Sequence, residues 1–426
     1  MRASLLGSLC AAVAIAIVAL PVAAADVPAA PTFHEDVEPI LQDNCQGCHR
    51  PKPLNMSGMI APFALTSYED ARPWAKAIAK AVESRVMPPW GASEKFHGVF
   101  RNERSLSAEE IETVVRWAKS GAAAGNPASA PPPREFQGGE WWLGEPDLVV
   151  KLPEPVWVGD DVKDWQPNIF VELPADLLPR DRYIRAVECQ PGSDRGVHHV
   201  VINTMEPGEG NAIAEVTGKL IGGLAPGDEP TLAHEGYGML LKKGTTLRVN
   251  MHYNKEPGPG TGFYDQTAIG FFFYPEGAEV KETITAPIGL FDFEIPPGEK
   301  EWTVGMAQTF DRPFTVLAML PHTHVRGVAA EYVAHFPDGR VEQLLDVPKY
   351  DYNWQISYEY PEPRHFPAGT RIEVRMVYDN SSENPSNPDP TKAVRFGLET
   401  QEEMALGWMQ WSWDDEMPAS ATGGGR

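Results

Sequence analysis

Apolar positions in this chain follow two different periods, and the change falls near residue 141. Upstream, Ile111, Val114, Val115 and Ala118 recur at three- and four-residue spacing, which lines them along one face of a helix. Ser107 and Glu110 precede that stripe at capping-box spacing, and Gly121 supplies the stop. The run from Phe33 to Leu41 predicts a further helix. Downstream, Leu247, Val249, Met251 and Tyr253 alternate with Arg248, Asn250 and His252, and Ile372, Val374, Met376 and Tyr378 repeat the pattern. Alternation by two puts each set on its own face of a strand. Many such runs, separated by Pro-Gly, Asn-Pro and Asp-Gly turns, predict antiparallel β-sandwich, jelly-roll-like layers. The strand-rich part exceeds one ordinary sandwich, so two are expected, over residues 146–285 and 286–416, with a flexible tail at 417–426.

The ends and joints add a compartment. Leu5 to Leu20 is a small, apolar run, followed by Pro21 and by Ala23-Ala24-Ala25 before Asp26, and this reads as a cleaved secretory signal over residues 1–25. The run is short for a bilayer span, which needs about 20 residues. A periplasmic or secreted protein with no membrane span is therefore expected. From Asn126 to Arg134 the composition turns to Pro, Ala and Ser, which predicts a stiff linker over residues 126–145 after a helical unit at 26–125. The 426 residues carry 59 acidic and 36 basic side chains, net −23. Clustered Lys and Arg never appear, which argues against a nucleic-acid partner.

Cysteine usage narrows the chemistry. Cys10 leaves with the signal, and Cys45, Cys48 and Cys189 are an odd remainder that makes no disulfide framework. Cys45-Gln46-Gly47-Cys48-His49 is the c-type haem attachment pattern: two thiols form thioethers to the porphyrin and His49 becomes the proximal iron ligand. A redox dithiol would use the same cysteine pair. Met56, Met59 and Met87 could each supply a sixth ligand. Met87 is preferred because Pro88-Pro89-Trp90 follows it and fixes an extended loop that can press a side chain against a haem face. In its order of attachment site, methionine loop and terminal helix, residues 26–125 resemble a small class I cytochrome c. That implies a small all-α cytochrome c domain with one covalent haem. His34 and His97 are expected to be solvated.

Histidine placement carries the rest. His198-His199 lies between Val197 and Val200-Val201, in or beside a strand, where neighbours face opposite ways. One metal can take both only if that strand is locally distorted or the rings turn toward each other. His252 could complete a three-imidazole set. Pro321-His322-Thr323-His324 places two imidazoles at i and i+2 on one strand face, a spacing suited to a shared metal. His234, in Leu232-Ala233-His234-Glu235, is either an extra ligand or a surface residue.

The order His198-His199, His252, His322-Thr323-His324 and then Met404 in Thr400-Gln401-Glu402-Glu403-Met404 resembles the copper type II, ascorbate-dependent monooxygenases, the family of peptidylglycine α-hydroxylating monooxygenase and dopamine β-monooxygenase. The resemblance covers about residues 146–415. It implies two mononuclear coppers: an all-histidine site at His198, His199 and His252 that stores and passes an electron, and a site at His322, His324 and Met404 that binds oxygen and faces substrate. A thioether beside two imidazoles suits cuprous copper and is rare at zinc, calcium or magnesium. The chain departs from the animal enzymes in having no disulfides among its copper-binding domains, with Cys189 expected as a small buried residue. The implied activity is periplasmic hydroxylation of an organic small molecule with O2, electrons arriving from an ascorbate-like reductant or a redox protein through the haem. A haem and copper electron-transfer or binding protein that oxygenates nothing is the alternative.

Overall fold

The computed structural model describes residues 28, 30–51, 61–135, 141–193, 195–205, 219–224, 230–416 and 419–420. The expected signal segment at 1–25, Met56 and Met59 lie outside the described residues, as does most of the tail.

Two β-sandwiches follow one another. In the first, one sheet runs Leu148–Lys151, Ala268–Phe273, Arg182–Gln190, Tyr237–Leu241, Glu279–Glu282. Facing it is a sheet ordered Asp164–Trp165, Thr246–Asn254, Val197–Met205, Lys219–Leu224, with Asn168–Glu172 also paired to Thr246–Asn254. Leu247, Val249, Met251 and Tyr253 point inward as their alternation predicts, and pack with Ile184, Val187, Val200 and Ile202. The opposite face of the same strand is covered too: Arg248 and His252 are buried, which sets them against the second sandwich and not in water.

The chain passes between the sandwiches at buried Thr283. The second pairs a sheet ordered Ile284–Leu290, Ala405–Trp413, Phe314–His322, Tyr358–Phe366 with one ordered Trp302–Thr309, Arg371–Tyr378, Gly327–His335, Val341–Val347. Ile372, Val374, Met376 and Tyr378 are fully buried in its core with Phe310, Phe314 and Tyr332. The chain then crosses back. Within the expected tail, Ala419–Ser420 pairs with Glu279 and Val280 at the edge of the first sandwich.

The small all-α cytochrome c domain expected over residues 26–125 is corrected by the structure, which is mostly β-sheet. Among the described residues α-helix is confined to Glu38–Asn44, Tyr68–Ala71, Ala75–Glu83 and Ala108–Lys119, and the longest has 12 residues. The last carries the expected capping box between Ser107 and Glu110. These short helices gather around Phe33, Leu41 and Trp117, but the stretch between the third and fourth leaves them. Phe96 and Phe100 belong to the core of the second sandwich, with Trp90 packed against it. Phe100 stands 5.4 Å from both Tyr358 and Tyr360, ring to ring. Main-chain bonds follow the same route, Ser93 N to Asp346 O at 2.8 Å and Arg101 N to Glu359 O at 2.8 Å. The irregular stretch thus belongs to the β core, while the short helices pack on an apolar cluster of their own. The aromatic groups of an irregular stretch were buried against a sheet because no helix of their own offered a face. The Pro-rich stretch is likewise no free spacer: Gln42 Nε2 donates to Pro132 O at 3.2 Å.

Replacing Phe100 by Ala removes an aromatic plug from this joint and should cost about 3–5 kcal/mol of stability. Urea unfolding followed by tryptophan fluorescence measures it, and a loss below about 1 kcal/mol would contradict the docking described.

Candidate metal centre

His199 and His252 face each other across paired strands, and the register between Val197–Met205 and Thr246–Asn254 slips there: His252 pairs with His199, but Tyr253 pairs with Val197. His198 is the extra residue of a β-bulge, the local distortion that two adjacent histidines need in order to converge. The ring of His252 lies 4.5 Å from that of His199 and 4.8 Å from that of His198. One nitrogen from each of the three falls within 4.8 Å of the others. His252 Nδ1 and His199 Nδ1 are 3.2 Å apart, close to the ~3.3 Å separating two nitrogens held at about 2.0–2.1 Å by one tetrahedral ion. His198 Nδ1 is buried without a hydrogen-bond partner, a loss an ion would repair. Behind the cluster, Asp164 Oδ1 sits 3.1 Å from His252 Nε2 and fixes that ring's tautomer, as outer carboxylates do at metal-bound imidazoles.

A second set forms at the end of strand Phe314–His322. His322 pairs with Leu406 across the sheet, and His324 and Met404, just beyond the paired residues, line the same cavity as His322. The two rings lie 5.5 Å apart and nearly perpendicular. Each is tied through Nδ1: His322 to Gln355 Oε1 at 2.7 Å, His324 to Glu402 O at 3.2 Å. Both Nε2 atoms are left for an ion. The loop carrying Met404 is fastened by the buried Glu403 carboxylate, which accepts from His324 N at 2.8 Å and Arg326 N at 2.7 Å, and by Tyr378, whose hydroxyl donates to Met404 O at 2.6 Å.

A cavity of about 300 Å³ between the sandwiches is lined by His199, His322, His324 and Met404 together, with Ile221, Met319 and Met409 among its apolar walls. Loss of water around the rings lowers His198 to about 3, His322 to about 4 and His324 to about 3, and pushes His199 well below its ordinary value. Neutral imidazoles are what a metal needs. The donor sets therefore fit copper at both positions, by nitrogen geometry at the first and by the thioether at the second.

At the helical end, Cys45 caps the helix Glu38–Asn44, and His49 N bonds back to Cys45 O at 2.8 Å, which folds the Cys-x-x-Cys-His run into a tight turn. His49 Nδ1 lies 3.1 Å from Phe63 O, leaving Nε2 free. Burial, with Cys48 and Glu110 adding, pushes the Cys45 thiol up to about 12, unlike the lowered thiol of a redox dithiol. These donors fit a thioether-linked haem. Met87 is half-buried where the chain turns toward the second sandwich. His97 is exposed, and His34 is half-buried beside Glu38 at 2.8 Å. Cys189 is a buried strand residue, and His234, expected at the surface or as a ligand, is buried with Nε2 2.6 Å from Tyr360 O. Asp164, Gln355 and Glu403 were not foreseen. Asp164 starts a two-residue strand, Gln355 lies in a loop and Glu403 in a single bridge, and no spacing or period marks any of them.

No family model and no curated protein matches the chain. Among solved structures it is similar to the major capsid protein of bacteriophage PM2 (TM-score 0.24, 7% identity, 63% of this chain and 98% of that one). It is also similar to VP2 of infectious bursal disease virus (0.20, 10%, 64% and 74%) and to Bacillus subtilis oxalate decarboxylase (0.12, 8%, 69% and 82%). At TM-scores this low the likeness assigns no family and no activity.

Asp164→Asn should weaken metal binding at the first cluster by about 10–100-fold and Gln355→Leu at the second by a similar factor, each leaving the other cluster unchanged in a competition titration. Acidification gives an independent check. His322 stays neutral when folded down to about 4 and protonates near 6.5 when unfolded, so its stabilisation is complete above pH 6.5 and is lost as pH falls toward 4. Glu403, which burial pushes up to about 8, drives the slope the other way, so the readable quantity is a difference. Metal-free His322→Gln should lose less stability between pH 6.5 and 4.5 than the unsubstituted protein; equal slopes in urea melts would contradict this.

Proposed function

We propose that the chain is a copper-dependent monooxygenase that hydroxylates a small, largely apolar organic molecule. The observation that carries this is the single cavity walled at once by an imidazole of the first cluster and by His322, His324 and Met404 of the second. Bound to these sets, copper would supply one-electron storage at the first and oxygen activation at the second, and a haem at Cys45, Cys48 and His49 would supply a further one-electron carrier.

The protein's own part is positional. The bulge at His198 gathers three rings, while Asp164 and Gln355 hold the tautomers that leave nitrogens available. Three donors at the second cluster leave room for a further ligand, as a catalytic metal requires. The cavity walls Ile221, Met319, Leu406 and Met409 favour an apolar substrate and limit water. Its volume suits a compound at the small end of the usual range, about 300–1,000 Å³.

Metal analysis after loading should give two coppers per chain, falling to one in His252→Ala and one in the His322→Ala, His324→Ala pair. Oxygen uptake should depend on an added organic compound, with labelled oxygen recovered in its product. Copper bound without such incorporation would leave an electron-transfer protein and remove the oxygenase reading. Covalent haem, read by haem staining on a denaturing gel, should be lost when both Cys45 and Cys48 are replaced by Ser.

A further inference from the structure

One aromatic ring touches both clusters. Tyr352 stacks on His198, 5.5 Å between centroids and 19° from parallel, and meets His324 edge-on at 6.1 Å and 84°. His198 and His324 are thus no farther apart than those two contacts laid end to end. The ring is fixed from both sides. Its hydroxyl lies 3.4 Å from the Thr400 hydroxyl, and Thr400 also bonds Asp164, the carboxylate that holds His252. Its carbonyl accepts from Gln355 Nε2 at 3.2 Å, and the other end of that amide holds His322. Through side chain and backbone, Tyr352 therefore reaches His198 and His252 of one cluster and His322 and His324 of the other.

Its position between two spaces adds to this. His198, Tyr352 and Thr400 line a cleft of about 800 Å³ that also borders Arg85, Pro89 and Trp90 beside the helical segment. The other faces of the two clusters, through His199, His322, His324 and Met404, line the smaller cavity. The stacked pair of His198 and Tyr352 stands on the cleft side, so contact between the clusters there runs through packed protein.

We propose that Tyr352 is the positioning residue that couples the two imidazole clusters, holding them at one separation so that a change at either is felt at the other. This deepens the copper reading, but the coupling itself needs no metal. An aromatic ring at this position is sufficient, since both contacts are made by its faces and edge, so Tyr352→Phe should preserve the coupling and Tyr352→Leu should abolish it.

The test has two arms on the full-length protein. In the metal-free arm, histidine labelled at the imidazole carbon is followed by NMR: His324→Gln should shift the His198 signal when residue 352 is Tyr or Phe, and leave it in place when it is Leu. In the copper arm, pulsed EPR of the protein loaded with Cu(II) should give one narrow metal-to-metal distance with Tyr or Phe and a broad distribution with Leu. Tyr352→Met serves as the non-aromatic variant if the Leu form does not fold. A His198 signal that still responds in the Leu or Met variant, or a distance that stays equally narrow, overturns the proposal. Failure to take up copper at all removes the functional reading and leaves the NMR arm to decide the bridge.

Discussion

Neighbouring side chains on a strand point to opposite faces, and the slip of one residue at His198 is what frees this protein from that rule. Without it, only one of His198 and His199 could face His252, and the other would turn into the apolar core that holds Val197 and Val200. The extra residue costs a ladder hydrogen bond and gives three imidazoles a common focus. The remaining parts answer to that focus: Asp164 behind His252, Tyr352 against His198, and the second sandwich pressed over the face that carries Arg248 and His252.

The second cluster rests on a different device. Its side chains come from a strand end and from a separate loop, so the loop must be held from within. Glu403 does this with two main-chain bonds, beside an Arg326 guanidinium that is itself buried and bonded to Asn380 Oδ1 at 3.0 Å and Gln401 O at 2.8 Å. A buried carboxylate and guanidinium contribute little net stability once desolvation is counted. Their effect is to fix one loop conformation, and the residue so fixed is Met404. Among the described residues Cys189 has no disulfide partner, and buried polar anchors of this kind do the fastening.

What the sequence disclosed and what it hid divide along physical lines. Local signals were legible. The capping box of Ser107 and Glu110, the inward row from Leu247 to Tyr253, and the need for a distortion at adjacent histidines all follow from period and spacing. Long-range pairing was not. Phe100 meets Tyr358 and Tyr360 across most of the chain, and a stretch broken by Pro and Gly carries no period to announce it. The all-α domain was therefore expected where the structure gives short helices tied to a β core by the stretch that carries Phe100. The supporting residues Asp164, Gln355 and Tyr352 escaped for the same reason, since each acquires meaning only from a partner brought near by folding. His234 lies elsewhere than expected because a single histidine between Ala233 and Glu235 gives no hint that a carbonyl of the other sandwich will cover it.

The backbone joins the two sandwiches twice, once through Thr283 and again where Ala419–Ser420 returns to pair beside Glu279 and Val280. A body pinned at two places has no free hinge. The gap between its halves then behaves as a slot whose width the two crossings set together.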